Sequence, residues 1–133
     1  WGGKAPPTKY NGGVEGPSNW RHRGGSFLML TVCNIPQTGD DVRLAPRANY
    51  SDGLLDVLLI EDQGWGRMQL LQTFLSLEAG THVDMPLIRY VKARQVVVVG
   101  EDESVPNLSG EPLPRPVQAY QVTCLPGALR MVT

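Results

Sequence analysis

Residues 50–61 read YSDGLLDVLLIE, and this stretch decides the fold. Asp52-Gly53 is turn chemistry, because glycine takes the positive-φ position that tight turns need and aspartate bonds its own backbone two residues on. Residues 54–61 then carry six apolar side chains broken by Asp56 and Glu61. A run this short, bounded by a turn, predicts a strand rather than a helix.

Working outward, residues 26–34 (SFLMLTVCN) form a second apolar run, nearly continuous, as expected of a strand covered on both sides. Between the two runs, Pro36 and Gly39-Asp40 read as turns, and residues 42–45 suggest a short strand stopped by Pro46. Downstream, residues 66–79 predict a helix. Met68, Leu71 and Leu75 follow i, i+3, i+7 spacing, and Leu70, Phe74 and Leu77 add an adjoining stripe. Gly80 is placed to end it. Residues 90–100, with their run of four valines, read as one long strand. Residues 105–114 hold too many prolines for a central strand. Alternation returns at 117–125, and residues 129–132 add a last strand after the Pro126-Gly127 turn. Six or seven short strands and one amphipathic helix predict a mainly β (α+β) domain, a β-sandwich or open-barrel-like lobe with the helix packed on it.

A chain of 133 residues suits one domain. Residues 1–25 are rich in Gly and Pro without a period and read as a linker or insert. The domain is expected over residues 26–133. The start at Trp1 suggests a piece of something longer, and the opening has no apolar stretch like the core of a signal peptide. The formal net charge is −1, so no strongly basic face offers itself to nucleic acid. The apolar runs at 27–33 and 96–99 are far too short to span a bilayer. Cys33 and Cys124 read as reduced core thiols, a disulfide being the alternative, and their spacing matches no zinc motif.

No GxGxxG, P-loop or GxSxG is present. His22 and His82 have no ligand partner at helical or strand spacing and read as structural. Two local clusters remain. Asp52, with nearby backbone carbonyls, has the oxygen chemistry of a hard-cation site, against the simpler reading of a hairpin turn. Asn107-Leu108-Ser109-Gly110-Glu111 is either a plain turn or a device that presents the Glu111 carboxylate to a cleft.

The order of these pieces carries a resemblance. LAPRANYSDGLLDVLLIED resembles the aP-x-A-x-x-x-DGLldv segment of the lipid kinases that phosphorylate diacylglycerol, sphingosine and ceramide. RMQLLQTFLSLEAGTHVDMPLIRYVKARQVVVV is similar to the helix, G-x-H turn and following strands of sphingosine kinases. NLSGEPLP stands at the place of a D-G-E motif, and VQAYQVTCLPGALRMV is similar to the closing strands. The resemblance covers about residues 26–133, and the Gly/Pro-rich start is similar to the insert that precedes this region in sphingosine kinases.

What the resemblance implies is a two-lobed kinase. The N-terminal lobe carries a Gly-Gly-Asp-Gly loop and most contacts to ATP and Mg2+. The C-terminal lobe holds the lipid tail and closes the cleft. No Gly-Gly-Asp-Gly occurs in this sequence, so the nucleotide lobe is the expected missing partner. Phosphoryl transfer depends on positioning and charge neutralisation, and the chain alone is therefore expected to be inactive. Carried over by motif, Glu111 is the glutamate linked to catalysis or to the nucleotide's metal, and Ser109 stands where the family has Asp. Asp52 matches an aspartate beside a structural cation in some bacterial members. Asn34 matches a recurring asparagine. Phe27, Leu30, Leu59, Met68, Leu71, Phe74 and Leu75 are the candidates to line a lipid-tail pocket, closed core being the alternative for each. The implied localisation is cytoplasmic with peripheral membrane contact. A non-catalytic lipid-binding module descended from that lobe is the runner-up. An unrelated adhesion sandwich fits the composition but not the ordered motifs.

Overall fold

A computed structural model of the chain describes residues 20–39 and 41–128. Most of the expected linker and the expected strand at 129–132 lie outside the described residues. Among the described residues two compact units are present, Arg23–Gln95 with residues 123–128, and Val96–Val122 with residues 20–22.

In the larger unit the two apolar runs pair. β1 (Phe27–Cys33), β2 (Leu55–Glu61) and β3 (Ile88–Ala93) form an antiparallel sheet in that order. Every residue of β2 from Leu55 to Ile60 is buried, which is why its sequence is apolar without alternation. Register pairs Leu30 with Leu59, Thr31 with Leu58, and Ile60 with both Met29 and Ile88. A bulge between Phe27 and Met29 leaves Leu28 as an extra residue, half exposed.

One face of the sheet carries the core. Cys33, Leu58, Ile60 and Ile88 pack with Ala45, Val83 and Leu87, fringed by Met29, Leu44, Trp65 and Tyr90. Strand alternation sends Leu55, Val57 and Leu59 to the opposite face, where they too are buried.

The helix α1 spans Arg67–Leu75 and is shorter than the sequence suggests. Ser76 ends it. Its amide donates to the Gln72 and Thr73 carbonyls (3.1 and 3.2 Å), and its hydroxyl to the Thr73 carbonyl at 2.8 Å. A turn then leads to a 3-10 helix, Thr81–Asp84. Gly80 makes the join at φ 72°, and a Cβ there would stand 3.2 Å from Pro46 Cβ, so glycine is required twice over. At the other end no hydroxyl caps α1. Gln69 instead reaches back to accept the Gly66 amide at 3.0 Å.

Two strand expectations are corrected. Residues 42–45 form only a single bridge, Thr38 to Val42. The Arg43 amide is spent on the Leu77 carbonyl (3.1 Å) and the Ala45 amide on that of Pro36 (3.1 Å), which leaves no ladder. The long strand at 90–100 is two, β3 and β4 (Gln95–Ser104), broken at Arg94. β4 belongs to a different sheet, with β7 (Val117–Thr123). The proline-rich stretch holds a minimal hairpin, β5 (Asn107–Leu108) and β6 (Glu111–Pro112). The chain is mainly β, as the sequence predicts. Its described strands lie in three separate sheets rather than a closed barrel.

Cys33 and Cys124 are both free thiols. Among the described residues no helix is long and apolar enough to cross a membrane.

Candidate functional site

α1 lies against the core face of the sheet and leaves an apolar cleft of about 70 Å³ beneath it. Met29, Ile60 and Ile88 form its floor, one from each strand, and Leu70, Phe74 and Leu77 its roof. The 3-10 helix contributes His82, which is fully buried. His82 Nε2 lies 3.0 Å from the Leu44 carbonyl oxygen, so Nε2 carries the proton and donates. Nδ1 is then a bare acceptor, buried without a hydrogen-bond partner. An unmet buried acceptor costs roughly 1–3 kcal/mol. A residue that lines the cleft therefore holds one unspent polar atom. The Thr73 hydroxyl, by contrast, donates to the Gln69 carbonyl at 2.8 Å and is spent on its own helix.

A second cluster is polar. Lys92 on β3 places Nζ 2.7 Å from Asp52 Oδ2 and 3.2 Å from Asp56 Oδ1. Asp56 sits on the central strand with no exposed surface and also accepts the Tyr90 hydroxyl at 2.7 Å. Asp52 Oδ1 accepts the Leu54 amide at 3.0 Å, which closes the turn at Gly53 (φ 69°). The lysine's hydrogen bond, with that of the Leu54 amide, holds the Asp52 carboxyl below its ordinary range. The same contact raises Lys92. Burial, and then the bond to Asp56, pushes the Tyr90 phenol well up. Burial first, and the nearby Asp56 charge second, raise the Cys33 thiol. The Arg47 guanidinium lies 5.3 Å from the Tyr90 ring centroid and bonds Asp84 at 2.6 Å.

Asp52, read from the sequence as a candidate cation ligand, is here engaged by an ammonium. The ammonium of Lys92 occupies the space between the two carboxylates, and no group of three or more metal-ligating side chains exists among the described residues.

The candidate tail residues do not come together. Leu30 and Leu59 are register partners on the face of the sheet opposite the cleft. Phe27 is half-buried at the bulge. Met68, Leu71 and Leu75 point to solvent, with 74%, 50% and 74% of their surface exposed. Of the seven, Phe74 alone lines the cleft. The residues that sequence reasoning missed are Met29, Ile60, Ile88 and His82. Strand parity held the signal for the first three, since Leu58 and Ile60 share a face that Leu59 does not.

In the smaller unit, Glu111 is exposed on β6. The turn before it has two positive-φ residues, Ser109 (53°) and Gly110 (93°), and the Asn107 side chain accepts the Gly110 amide at 2.8 Å. A two-residue turn of this kind favours Asn, Asp or Gly at both positions, so the place of Ser109 has a backbone requirement whatever its chemistry. Asn34 is exposed just past β1.

Elsewhere in the larger unit, a wider groove of about 330 Å³ runs past Glu61, Trp65, Pro86 and Arg89. Glu61 is already engaged by Arg23 (2.6 Å) and Arg89 (3.4 Å).

Comparison with known proteins fits this picture. The chain is 28% identical over 122 residues to sphingosine kinase 2 of Arabidopsis thaliana, a match that takes in 82% of this chain and 25% of the relative. It is 31% identical over 84 residues to human sphingosine kinase 2, covering 62% of the chain and 13% of that protein. It is 30% identical over 114 residues to a probable lipid kinase YegS-like protein of Stenotrophomonas maltophilia, covering 80% and 34%. The chain thus spans between 13% and 34% of the length of these relatives. Residues 6–133 match the YegS C-terminal NAD kinase beta sandwich-like domain. With that match over nearly its whole length, the chain belongs to the family of this C-terminal domain, whose relatives here are sphingosine kinases and YegS-like lipid kinases.

Proposed function

We propose that this chain is the lipid-binding lobe of an ATP-dependent kinase for a lipid alcohol, a sphingoid base or a related lipid, and that the cleft under α1 takes the lipid's tail. The observation that carries the reading is that cleft, lined by Met29, Ile60, Leu70, Phe74 and Ile88, in a chain that belongs to this family. In the reaction the lipid hydroxyl oxygen bonds the γ-phosphorus of ATP. The bond to ADP breaks with its electron pair, and the hydroxyl proton passes to a base. Glu111, exposed on β6, is the carboxylate for that proton or for the nucleotide's Mg2+. The sequence has no Gly-Gly-Asp-Gly, so the nucleotide lobe is a partner outside this chain, and the chain alone gives no turnover. The working location is cytoplasmic, with contact to a membrane surface.

At about 70 Å³ the cleft is smaller than ligand pockets of roughly 300–1,000 Å³. A tail must displace Phe74, which is free to move because 63% of it is exposed. The test is a binding panel of water-soluble short-chain sphingosine, ceramide and diacylglycerol. One class binds; Phe74→Trp weakens it by about tenfold, equivalent to about 1.4 kcal/mol, and Glu111→Gln leaves it unchanged. Failure of all three lipids to bind would sink the reading. Ser109 favours a second reading, a non-catalytic lipid-binding module, because a hydroxyl cannot carry a carboxylate's charge. Phosphorylated lipid from the intact polypeptide that carries this chain would exclude the module.

A further inference from the structure

Among the described residues, His82 Nδ1 is the one buried polar side-chain atom without a hydrogen-bond partner. The ring is held in place. The 3-10 helix that carries it follows Gly80, and the bond from the Arg43 amide to the Leu77 carbonyl (3.1 Å) ties the 42–45 loop to the end of the helical segment. That loop presents the Leu44 carbonyl, to which Nε2 donates at 3.0 Å. Turning the ring over would break this bond, so Nδ1 keeps a bare lone pair and can only accept.

The cleft that His82 lines is otherwise apolar, walled by Met29, Ile60, Phe74 and Ile88, and Thr73 has spent its hydroxyl proton on the Gln69 carbonyl. A lone water is a poor occupant. It wants roughly two to four polar partners, and the side chains that line this cleft offer one unspent atom. A charged amine would donate to Nδ1 only by burying its charge among hydrocarbon. A keto or ether oxygen would set a second lone pair against the first. The group that fits is a neutral hydroxyl on a molecule that is hydrocarbon on either side of it.

We propose that His82 is a specificity-determining residue for the tail of the lipid. Nδ1 accepts a hydrogen bond from a hydroxyl on the hydrocarbon chain, so the cleft takes a hydroxylated tail over a plain one. The inference rests on reading the cleft under α1 as the tail site. Its physical basis is an asymmetry: a plain tail leaves the buried acceptor unpaired, whereas a hydroxylated tail pairs it.

The experiment measures binding of water-soluble short-chain sphingoid-base analogues to the chain. Each set carries a methylene, a hydroxyl or a keto group at the same chain carbon, and that carbon is varied along the tail. At the carbon that reaches His82, the hydroxyl analogue should bind about tenfold tighter than the methylene one, and the keto analogue weakest. His82→Gln keeps an amide donor for the Leu44 carbonyl and has no counterpart of Nδ1, so the preference for hydroxyl over methylene should collapse to near parity. A second readout needs no variant. Of the two histidines in the chain, His22 is exposed and serves as the internal reference. The nitrogen-15 signal of His82 Nδ1 should move upfield with the hydroxyl analogue and stay in place with the methylene one. A hydroxyl preference that survives His82→Gln overturns the proposal, and so does an Nδ1 signal that no hydroxyl analogue moves. If methylene and hydroxyl analogues bind alike at every carbon and Phe74→Trp weakens both, the tail site stands and the role of His82 falls. If no analogue binds at all, both readings fall together.

Discussion

Replacing Lys92 with methionine removes one charge and keeps most of the side chain's volume. Its ammonium stands 2.7 Å from Asp52 and 3.2 Å from Asp56. Asp56 has no exposed surface and keeps only the Tyr90 hydroxyl as a side-chain donor once Lys92 is gone. Leaving one member of a buried pair uncompensated costs about 3–5 kcal/mol. Lys92 is itself one-third exposed, so solvent recovers part of that, and roughly 2–4 kcal/mol remains. For a domain of this size the loss corresponds to a fall in Tm on the order of 10 °C. Thermal unfolding followed by circular dichroism reads it directly. Arg23→Met serves as the control, because it breaks an exposed pair with Glu61 and should shift Tm far less. The variant carries a second signature. Without the ammonium, Asp52 and Asp56 offer bare oxygens to a hard cation, so millimolar Ca2+ or Mg2+ should restore part of the lost Tm in Lys92→Met and do nothing to the natural chain. A Tm unchanged by Lys92→Met would refute the reasoning, since it would mean that the buried carboxylate does not depend on this partner.

The same cluster predicts a pH profile. Asp52 is held below its ordinary value of 3.8, so its contribution is present above that pH and lost as pH falls through the lowered value in the fold. Lys92 and Tyr90 are raised above 10.5 and 10.0, so theirs are present below those values and lost as pH rises beyond them; urea titrations should show a plateau between these limits and decline at both ends. Gly80→Ala forces a side chain into φ 72° against Pro46 and should cost about 1–3 kcal/mol by urea unfolding. Ser109→Asn places a residue better suited to φ 53° and should stabilise the β5–β6 turn by about 0.5–1 kcal/mol, seen as slower hydrogen exchange at the Gly110 amide; Ser109→Val should speed it.

Much of the fold was legible because burial writes itself into strands. β2 reads as a strand from its apolarity and the Asp52-Gly53 turn, and β1 and β7 from theirs. The run of valines at 96–99 hid a change of sheet, since a strand's composition reports that it is covered and not by which partner. In α1 the two adjoining stripes have nearly the same spacing and both are apolar. Propensity and periodicity find the helix but cannot choose the inward side, and the choice that looked stronger, Met68, Leu71 and Leu75, is the outward one. The site depends on contacts far apart in sequence. His82 meets the carbonyl of Leu44, and Lys92 meets Asp52; no local pattern announces either. The lysine that reaches back to the Asp-Gly turn makes an ion pair there, and only the pairing of β2 with β3 brings the two together.

The sheet that holds the cleft has no tight hairpin. β1 reaches β2 across residues 34–54, and β2 reaches β3 across residues 62–87. Each pairing must close a long loop before any ladder bond repays it, so this unit should fold slowly, with β2 the strand that waits for two distant partners. While it waits, LLDVLLI is an exposed segment with the makings of intermolecular sheet. Its one charge is Asp56. The carboxylate that the native structure must compensate with Lys92 and Tyr90 is also the group that keeps nascent chains from stacking on one another. Replacing it with an apolar residue should spare the folded state a buried charge and still cost soluble yield.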